Sequence, residues 1–483
     1  MDIFEKVKNW IRAFLLKTAR GLGTHTHRGP VLRESKNLFS KEIKIPVPIS
    51  LVLTIVVVYC MFVIGLGINC RIMFAVVIFT AASSAFFIVK IKNREKTILK
   101  DNDAVVLMCF LFIIAMLIFQ ISKELASPFI SPVAAFSLMA AMLLSARIGA
   151  LYAICLSLFV AFLNDMRFDI FLVMLCSGIV VTNVENIRKR ADFINAGFKI
   201  AGANITIIVM FYFFGSYNVS QLKSNLVYGV LNGVLAIVIL LVFMPLLERL
   251  FSRTTNIKLI ELSDFNNPLL KRLMLEAPGT HHHSIMTADI AEQVANVMNE
   301  HSLLARVGSY YHDIGKLKNP QYFIENQNPG HNPHDALTPV MSSLILVAHV
   351  KDGVAFARKH NIDNEIINII EQHHGTTPMH AFYHRALEVN PDTDIENFRY
   401  PGPKPTTKVA AIVMMADSCE AACRSIDEPT AVRIKDMVEK IINNKFIDGQ
   451  FSECPITLKD LATIRDSIIS TIVGMYHARI EYE

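Results

Sequence analysis

A histidine and an aspartate stand next to each other at His312 and Asp313, in a stretch whose other residues predict a helix. Neighbouring helical side chains point about 100° apart, so these two could approach one metal ion from two directions. Asp313 would keep its second oxygen free for another ion. A His-Asp pair is more often a solvated surface pair, so the prediction of a bridging carboxylate depends on further ligands elsewhere in the chain.

Further residues of metal-ligand type occur on the helices predicted around this pair. They are His283, His349, His373, His374 and Asp417. Together with the pair they give five imidazoles, two carboxylates and no thiolate, which suits two borderline or harder transition-metal ions that share Asp313. A structural zinc site would need four ligands and would favour cysteines. Each histidine taken alone is more often a surface or core residue, so the combination carries the prediction.

The helices that must position these ligands follow from apolar periodicity in the second half of the chain, which contains no strand alternation. They are predicted at Ile285–Met298, Leu303–Leu317, Pro339–His360, Asp363–His374, Thr407–Ser425 and Ala431–Asn443. A shorter helix is predicted from Asn267 to Leu273, with caps before it. We therefore expect an all-helical soluble domain over residues 281–483, preceded by a coupling linker at 251–280.

The composition divides the chain into two kinds of region. Its 483 residues are 52% hydrophobic and 18% charged, and the mean hydropathy of +0.40 is too high for an ordinary soluble protein. The net charge of +5 lies largely beside the apolar segments, so we expect no nucleic-acid polymer as a partner. The eight cysteines show no CxxC pair and no disulfide spacing, which indicates reduced thiols and a cytoplasmic soluble domain.

Apolar runs across residues 46–250 predict a membrane region of about eight helices. The runs are Ile49–Ile68, Ile72–Val89, Ala104–Ile121, Ile130–Ser145, Ile148–Leu163, Ile170–Val184, Ile200–Gly215 and Leu226–Leu247. Lysines and arginines follow the second, sixth and eighth runs, which predicts a multi-pass protein of the inner (cytoplasmic) membrane with both termini in the cytoplasm. Residues 1–45 predict a basic amphipathic segment on the cytoplasmic face of the lipid bilayer. Few ionisable residues lie within the runs, which argues against a transporter.

The ligand set, with His-Asp-Ile-Gly at 312–315, resembles the HD-domain metal-dependent phosphohydrolases. With a membrane region ahead of it and the segments 276–280, 322–327 and 332–335, the chain resembles the seven-transmembrane HD family of bacterial cyclic di-AMP phosphodiesterases. This similarity implies an all-α fold and a two-metal centre that holds manganese or iron. It also implies cyclic di-AMP as the substrate and pApA as the product. Members commonly carry an extracytoplasmic domain after their first membrane helix, and only residues 67–71 separate the first two runs here, so we expect this chain to lack that domain.

The resemblance also implies how the ligands divide between the two ions. Asp313 would bridge the ions, and His283, His312 and Asp417 would bind mainly one of them. The other ion would be bound mainly by the remaining three histidines: His349, His373 and His374.

Two basic residues are candidates for substrate contact. Lys316 lies one turn beyond His312, where it could meet a phosphate oxygen as a point charge, and we count it with Asp313 as a catalytic candidate. Arg424 lies two turns after Asp417 and could act in the same way. The alternative for both is a solvated helix side chain.

Other functions stay open on the sequence alone. Related cyclic di-GMP phosphodiesterases have a glutamate after the histidine pair and a Gly-Tyr-Pro further on; this chain has neither, since Gly375 follows His374. An HD nucleotide phosphohydrolase of other specificity stays possible, as does a membrane receptor whose HD domain binds nucleotide without turnover. The presence of all seven ligand candidates argues against the receptor. A homodimer, and regulation of hydrolysis through the membrane region and residues 253–271, are further hypotheses.

Overall fold

The computed structural model describes residues 102–182, 187, 189–251, 253–327, 330 and 332–477. The predictions for residues 1–45 and for the apolar runs Ile49–Ile68 and Ile72–Val89 lie outside this range. The described residues are helical and contain no strand; one isolated bridge pairs Pro378 with Arg399. The chain divides into two compact units after Thr255.

Six apolar helices make up the described part of the first unit. They are α1 (Asn102–Leu125), α2 (Val133–Leu143), α3 (Ala146–Phe162), α4 (Phe168–Val180), α5 (Asp192–Phe213) and α6 (Val219–Phe251). Each of the third to eighth predicted apolar runs forms one of these helices. By length and composition α1, α5 and α6 could each cross a membrane, while α2 to α4 are shorter. The first unit is therefore a membrane region.

Close backbone contact and buried hydrogen bonds hold this bundle together. A Cβ atom added at Gly233 on α6 would lie 2.5 Å from the carbonyl oxygen of Gly197 on α5, so only glycine allows these helices to approach so closely. The buried amide of Asn232 donates to the carbonyl oxygens of Phe129 (2.7 Å) and Ser131 (2.9 Å). These carbonyls lie at a 3₁₀ turn between α1 and α2, where lipid could not satisfy them.

The second unit is built from ten helices in the described residues. They are α7 (Asn256–Leu262), α8 (Pro268–Glu276), α9 (Pro278–Val297), α10 (Ser302–Tyr311), α11 (Pro339–Lys359), α12 (Asn364–Gln372), α13 (His380–Val389), α14 (Lys408–Arg424), α15 (Ala431–Ile447) and α16 (Leu458–His477). Short 3₁₀ turns connect them at Ile314–Lys318, Pro320–Tyr322, Ile324–Asn326, Pro333–Ala336 and Ile395–Phe398. Helix α11 also has the length and composition of a membrane span, yet it lies in this unit.

The predicted helices differ from the observed ones in three respects. Helix α9 begins at Pro278, earlier than predicted, because a proline is already shaped for the first turn of a helix. The single helix predicted over Leu303–Leu317 is wrong in its last part: α10 ends at Tyr311 and the chain continues as a 3₁₀ turn. Helices α7, α13 and α16 were not predicted. The remaining five predicted helices are confirmed, with ends that agree to within four residues.

Two buried apolar clusters hold the second unit, and α9 contributes to both. In the first cluster, the leucines of α7 and α8, among them Leu259 and Leu273, pack against Tyr311 and Ile314. In the second, α9 packs with α14, α15 and α16 around residues such as Ile412. Burying side chains of this size contributes about 1.5–3 kcal/mol each. The N-terminal half of α9 and the end of α10 are thereby held rigidly, and both carry predicted ligands.

Candidate metal centre

Five elements bring the predicted ligands together. His283 lies on α9, His312 caps the end of α10 and Asp313 begins the turn after it. His349 lies on α11, His373 and His374 follow α12, and Asp417 lies on α14. Six of the seven are buried, and the side chain of His374 is 21% exposed. All seven predicted ligands therefore meet in one place.

The two oxygens of Asp313 face two different groups of histidines. Oδ2 lies 3.2 Å from Nε2 of His312 and 3.7 Å from Nε2 of His283. Oδ1 lies 3.3 Å from Nε2 of His349 and 3.7 Å from Nε2 of His373. Two sets of ligand atoms, each compact enough to hold one ion, therefore share this carboxylate.

Asp417 lies opposite Asp313 and also uses both of its oxygens. Its Oδ1 is 3.1 Å from Nε2 of His283 and 3.8 Å from Nε2 of His312. Its Oδ2 is 3.7 Å from Nδ1 of His374. One oxygen thus faces the pair assigned to the first ion, while the other faces a histidine assigned to the second.

The backbone fixes the orientation of three of the imidazoles. Nδ1 of His312 donates to the carbonyl oxygen of Ser309 (2.6 Å), and Nδ1 of His373 donates to that of Ile370 (2.7 Å). His349 makes the same contact with the carbonyl three residues before it. In each case the acceptor lies one helical turn earlier, so the proton stays on Nδ1 and the lone pair of Nε2 points into the centre.

The buried atoms at the centre fit a divalent metal ion. Nε2 of His312 and Oδ1 of Asp313 are buried and make no hydrogen bond. A buried polar atom without a partner costs about 1–3 kcal/mol, and a coordinated cation would remove that cost. Imidazole and carboxylate donors without a thiolate suit a borderline or harder metal. The described residues could therefore hold divalent metal ions.

Burial and neighbouring charges shift the pKa values of the predicted ligands in different directions. Burial raises the pKa of Asp313, but the ammonium of Lys316 and the imidazole of His312 hold it well below its usual range. Burial lowers the pKa of both His373 and His374. Burial lowers the pKa of His312, but the charge of Asp313 outweighs it and raises the pKa to about 10, so this imidazole would have to release a proton to bind a metal ion. Coordination needs ionised carboxylates and neutral imidazoles.

The two basic candidates occupy different positions. Nζ of Lys316 is 2.7 Å from Oδ2 of Asp313 and 2.7 Å from Oε1 of Glu325, so it is at the centre and paired with one of its ligands. Nη1 of Arg424 lies 3.9 Å from Oε1 of Glu420, and the side chain is 34% exposed. Arg424 therefore pairs behind the ligand shell, while Lys316 lies within it.

Three residues that support the ligands were not predicted. Oε2 of Glu420 accepts a hydrogen bond from Nδ1 of His283; Glu420 lies one turn after Asp417, a spacing that could have identified it. Glu325 pairs with Lys316; it lies in the segment 322–327 that supported the family resemblance, but it was given no role. The ring of Tyr400 stacks on that of His374, with centroids 4.2 Å apart at 28°, and Tyr400 comes from a loop without periodicity.

Comparisons with known proteins match both units. Residues 70–255 match a family described as "7TM receptor with intracellular HD hydrolase", and residues 280–422 match the HD domain. The cyclic-di-AMP phosphodiesterase PgpH of Listeria monocytogenes is 37% identical over 422 residues, covering 85% of this chain and 58% of the relative. The protein of the same name from Bacillus subtilis is 38% identical over 369 residues, covering 73% and 51%. The chain thus spans little more than half the length of these curated relatives.

The solved structures similar to this chain cover its second unit. The crystal structure of the Listeria monocytogenes PgpH HD domain in complex with cyclic-di-AMP is 49% identical. The match covers 44% of this chain and the whole of the crystallised domain, with a TM-score of 0.43.

Proposed function

Since this chain belongs to the family of 7TM receptors with an intracellular HD hydrolase, we propose that it is a membrane-bound two-metal phosphodiesterase that hydrolyses cyclic di-AMP to pApA. The observation that carries this proposal is the position of Asp313. Its two oxygens face separate histidine pairs at 3.2–3.7 Å, as a carboxylate that bridges two ions must. A single-metal site would not need a second set of imidazoles on the far oxygen.

The residues of the centre would have different roles in such a reaction. Two bound ions would supply an activated hydroxide and neutralise the charge on the phosphodiester. His283, His312 and Asp417 would hold the first ion, and His349, His373 and His374 the second. Glu420 orients the imidazole of His283 through Nδ1. Lys316 would place its charge beside a phosphate oxygen.

The donor set also bears on the metal and the substrate. Manganese and iron both accept imidazole with carboxylate, so we propose one of them as the resident metal. The substrate proposal comes from the relatives, whose names state cyclic-di-AMP phosphodiesterase activity. We further propose that both termini lie in the cytoplasm, where this nucleotide would be met. A fluorescent protein that folds only in the cytoplasm, fused after residue 483, tests on which side of the membrane the C-terminus lies.

Hydrolysis by the full chain in lipid nanodiscs tests the function. Wild type, Asp313→Asn and the control Asp352→Asn are incubated with Mn²⁺ and cyclic di-AMP, cyclic di-GMP or dGTP. Asp352 pairs with Lys318 outside the centre, so its variant should match the wild type. Conversion of cyclic di-AMP to pApA by wild type and control, lost in Asp313→Asn, is the expected result.

Two other results would reject the proposal. Cleavage of dGTP alone would indicate a nucleotide phosphohydrolase of other specificity. Tight binding of cyclic di-AMP without turnover in Mn²⁺, Fe²⁺ or any other divalent metal would indicate a receptor. Metal content measured on the same samples separates an empty centre from an inactive one.

A further inference from the structure

The ammonium of Lys316 lies between two carboxylates. Nζ is 2.7 Å from Oδ2 of Asp313 and 2.7 Å from Oε1 of Glu325, and it lies 4.9 Å from the centre of the Phe323 ring. The side chains are 12% exposed for the lysine, 2% for the aspartate and 6% for the glutamate. A charge so far from solvent is stable only where its partners compensate it. Here one partner is a predicted metal ligand and the other is not.

Glu325 is itself held in place by the start of α9. Oγ1 of Thr280 donates to Oε1 of Glu325 (2.9 Å) and accepts from the amide of Asn326 (2.8 Å). The backbone NH of Thr280 donates to Oδ1 of Asn326 (3.1 Å). A Cβ atom at Gly279 would lie 1.8 Å from the carbonyl oxygen of Glu325, so the two backbones are in direct contact. Glu325 is therefore fixed from the same helix that carries His283.

We infer that Glu325 is a positioning residue of the centre, an assignment that rests on the proposed function. It holds the ammonium of Lys316 at the site and lets it leave Oδ2 of Asp313 when that oxygen binds a metal ion. Without Glu325, Asp313 would be the remaining anionic partner of Lys316 among its described contacts. The lysine would then compete with the metal ion for Oδ2, and binding of the metal ion would leave the ammonium of Lys316 without a compensating charge. With Glu325, it stays beside the centre as a point charge for a phosphate oxygen.

A double-mutant cycle on metal binding tests this inference without requiring turnover. The dissociation constant for Mn²⁺ is measured calorimetrically on the full chain in nanodiscs for wild type, Glu325→Gln, Lys316→Met and the double variant. Glu325→Gln should weaken Mn²⁺ binding by about 10- to 100-fold, the range found for partners of metal ligands. In the Lys316→Met background the same change should alter binding by no more than about twofold, because the competing ammonium is gone.

Two further sets of variants separate this role from general destabilisation. Glu292→Gln removes a carboxylate outside the centre, which pairs with Arg306 at a distance of 2.6 Å. This variant should bind Mn²⁺ as the wild type does. Thr280→Val removes the hydroxyl that holds Glu325 and should weaken binding in the same direction, whereas Thr280→Ser should restore it. This pair tests the contact without changing a charge, even if Glu325→Gln fails to fold.

The outcomes distinguish this inference from the proposed function. Wild-type Mn²⁺ affinity in both Glu325→Gln and Thr280→Val would overturn the inference, as would an equal loss in the Lys316→Met background. If the variants give the expected double-mutant cycle for Mn²⁺ but the wild type leaves cyclic di-AMP intact, the positioning role is supported and the proposed substrate is overturned. If the wild type is active, Glu325→Gln should lower kcat even at saturating Mn²⁺, because Lys316 is misplaced in this variant. The effect on KM should be smaller.

Discussion

Replacing Gly315 by alanine should disrupt the centre, although the side chain of this residue binds nothing. A Cβ atom at Gly315 would lie 1.8 Å from the carbonyl oxygen of His349 and 2.5 Å from the nitrogen of Gly353, both on α11. Ordinary contact begins near 3.4 Å, so the turn and the helix would have to separate by about 1.6 Å. Both neighbours are backbone atoms of a helix and cannot rotate away as a side chain could.

This separation would act directly on the shared carboxylate. Gly315 lies two residues after Asp313, whose Oδ1 is 3.3 Å from Nε2 of His349. A misplacement of about 1 Å at a reacting centre can reduce the rate by about 100-fold. We therefore expect Gly315→Ala to lower kcat/KM for the proposed substrate, cyclic di-AMP, by at least about 100-fold. Overpacking of this kind destabilises a fold by about 1–3 kcal/mol, and contact with backbone places this variant at the upper end.

The control is a glycine-to-alanine substitution at a position where the added Cβ atom has free space. A Cβ atom at Gly474 on α16 would meet nothing within 4 Å, so Gly474→Ala should keep full activity and gain up to about 1 kcal/mol from helix propensity. Mn²⁺ affinity, hydrolysis and the thermal midpoint are measured for both variants in nanodiscs. Wild-type affinity and turnover in Gly315→Ala would refute the claim that close packing of this turn on α11 sets the geometry of the centre.

Three other changes test groups outside the predicted ligand set. Glu420→Gln should weaken Mn²⁺ binding by about 10- to 100-fold in calorimetry, because it removes the anionic acceptor of His283 Nδ1; unchanged affinity would contradict this. Tyr400→Ala should weaken Mn²⁺ binding by about 2- to 10-fold through loss of its stacking on an imidazole, while Tyr400→Phe keeps the stacking and should not. Burial raises the pKa of Asp448, but the hydrogen bonds from Arg399 outweigh it and lower the pKa, so the pair stabilises the fold above pH 3.8 and loses this effect as the pH falls further. Asp448→Asn should therefore cost up to about 1 kcal/mol at pH 7, with melting curves that converge with those of the wild type in acid; a constant difference at all pH values would contradict this.

The residue types predicted the members of the centre but not its geometry. His312 and Asp313 were predicted on one continuous helix, where their directions would follow from helical spacing. The helix instead ends at Tyr311, and the 3₁₀ turn gives Asp313 a backbone that lets its two oxygens face different histidines. Gly315, in this turn, packs against backbone atoms of α11 that lie more than thirty residues away in sequence, and such a contact leaves no periodic signal.

The supporting residues were harder to predict for a different reason. A ligand is restricted to a few residue types, whereas a partner of a ligand can be any group that reaches it. Glu420 lies on the same face of α14 as Asp417 and could have been identified from that spacing. Tyr400 and Glu325 come from irregular segments, where only tertiary contacts fix the position of a side chain. Helices α7, α13 and α16 were missed although all three form in the second unit.

The segment predicted as a coupling linker bears on how the membrane region could act on the centre. Its helices α7 and α8 lie in the second unit, where Leu259 and Leu273 are fully buried in the cluster that holds Tyr311. The hydroxyl of Tyr311 donates to the carbonyl oxygen of Leu262 at the end of α7 (2.7 Å). Tyr311 immediately precedes His312. A displacement of α7 would therefore reach a predicted ligand through one hydrogen bond and one peptide unit, whereas a flexible linker would absorb it.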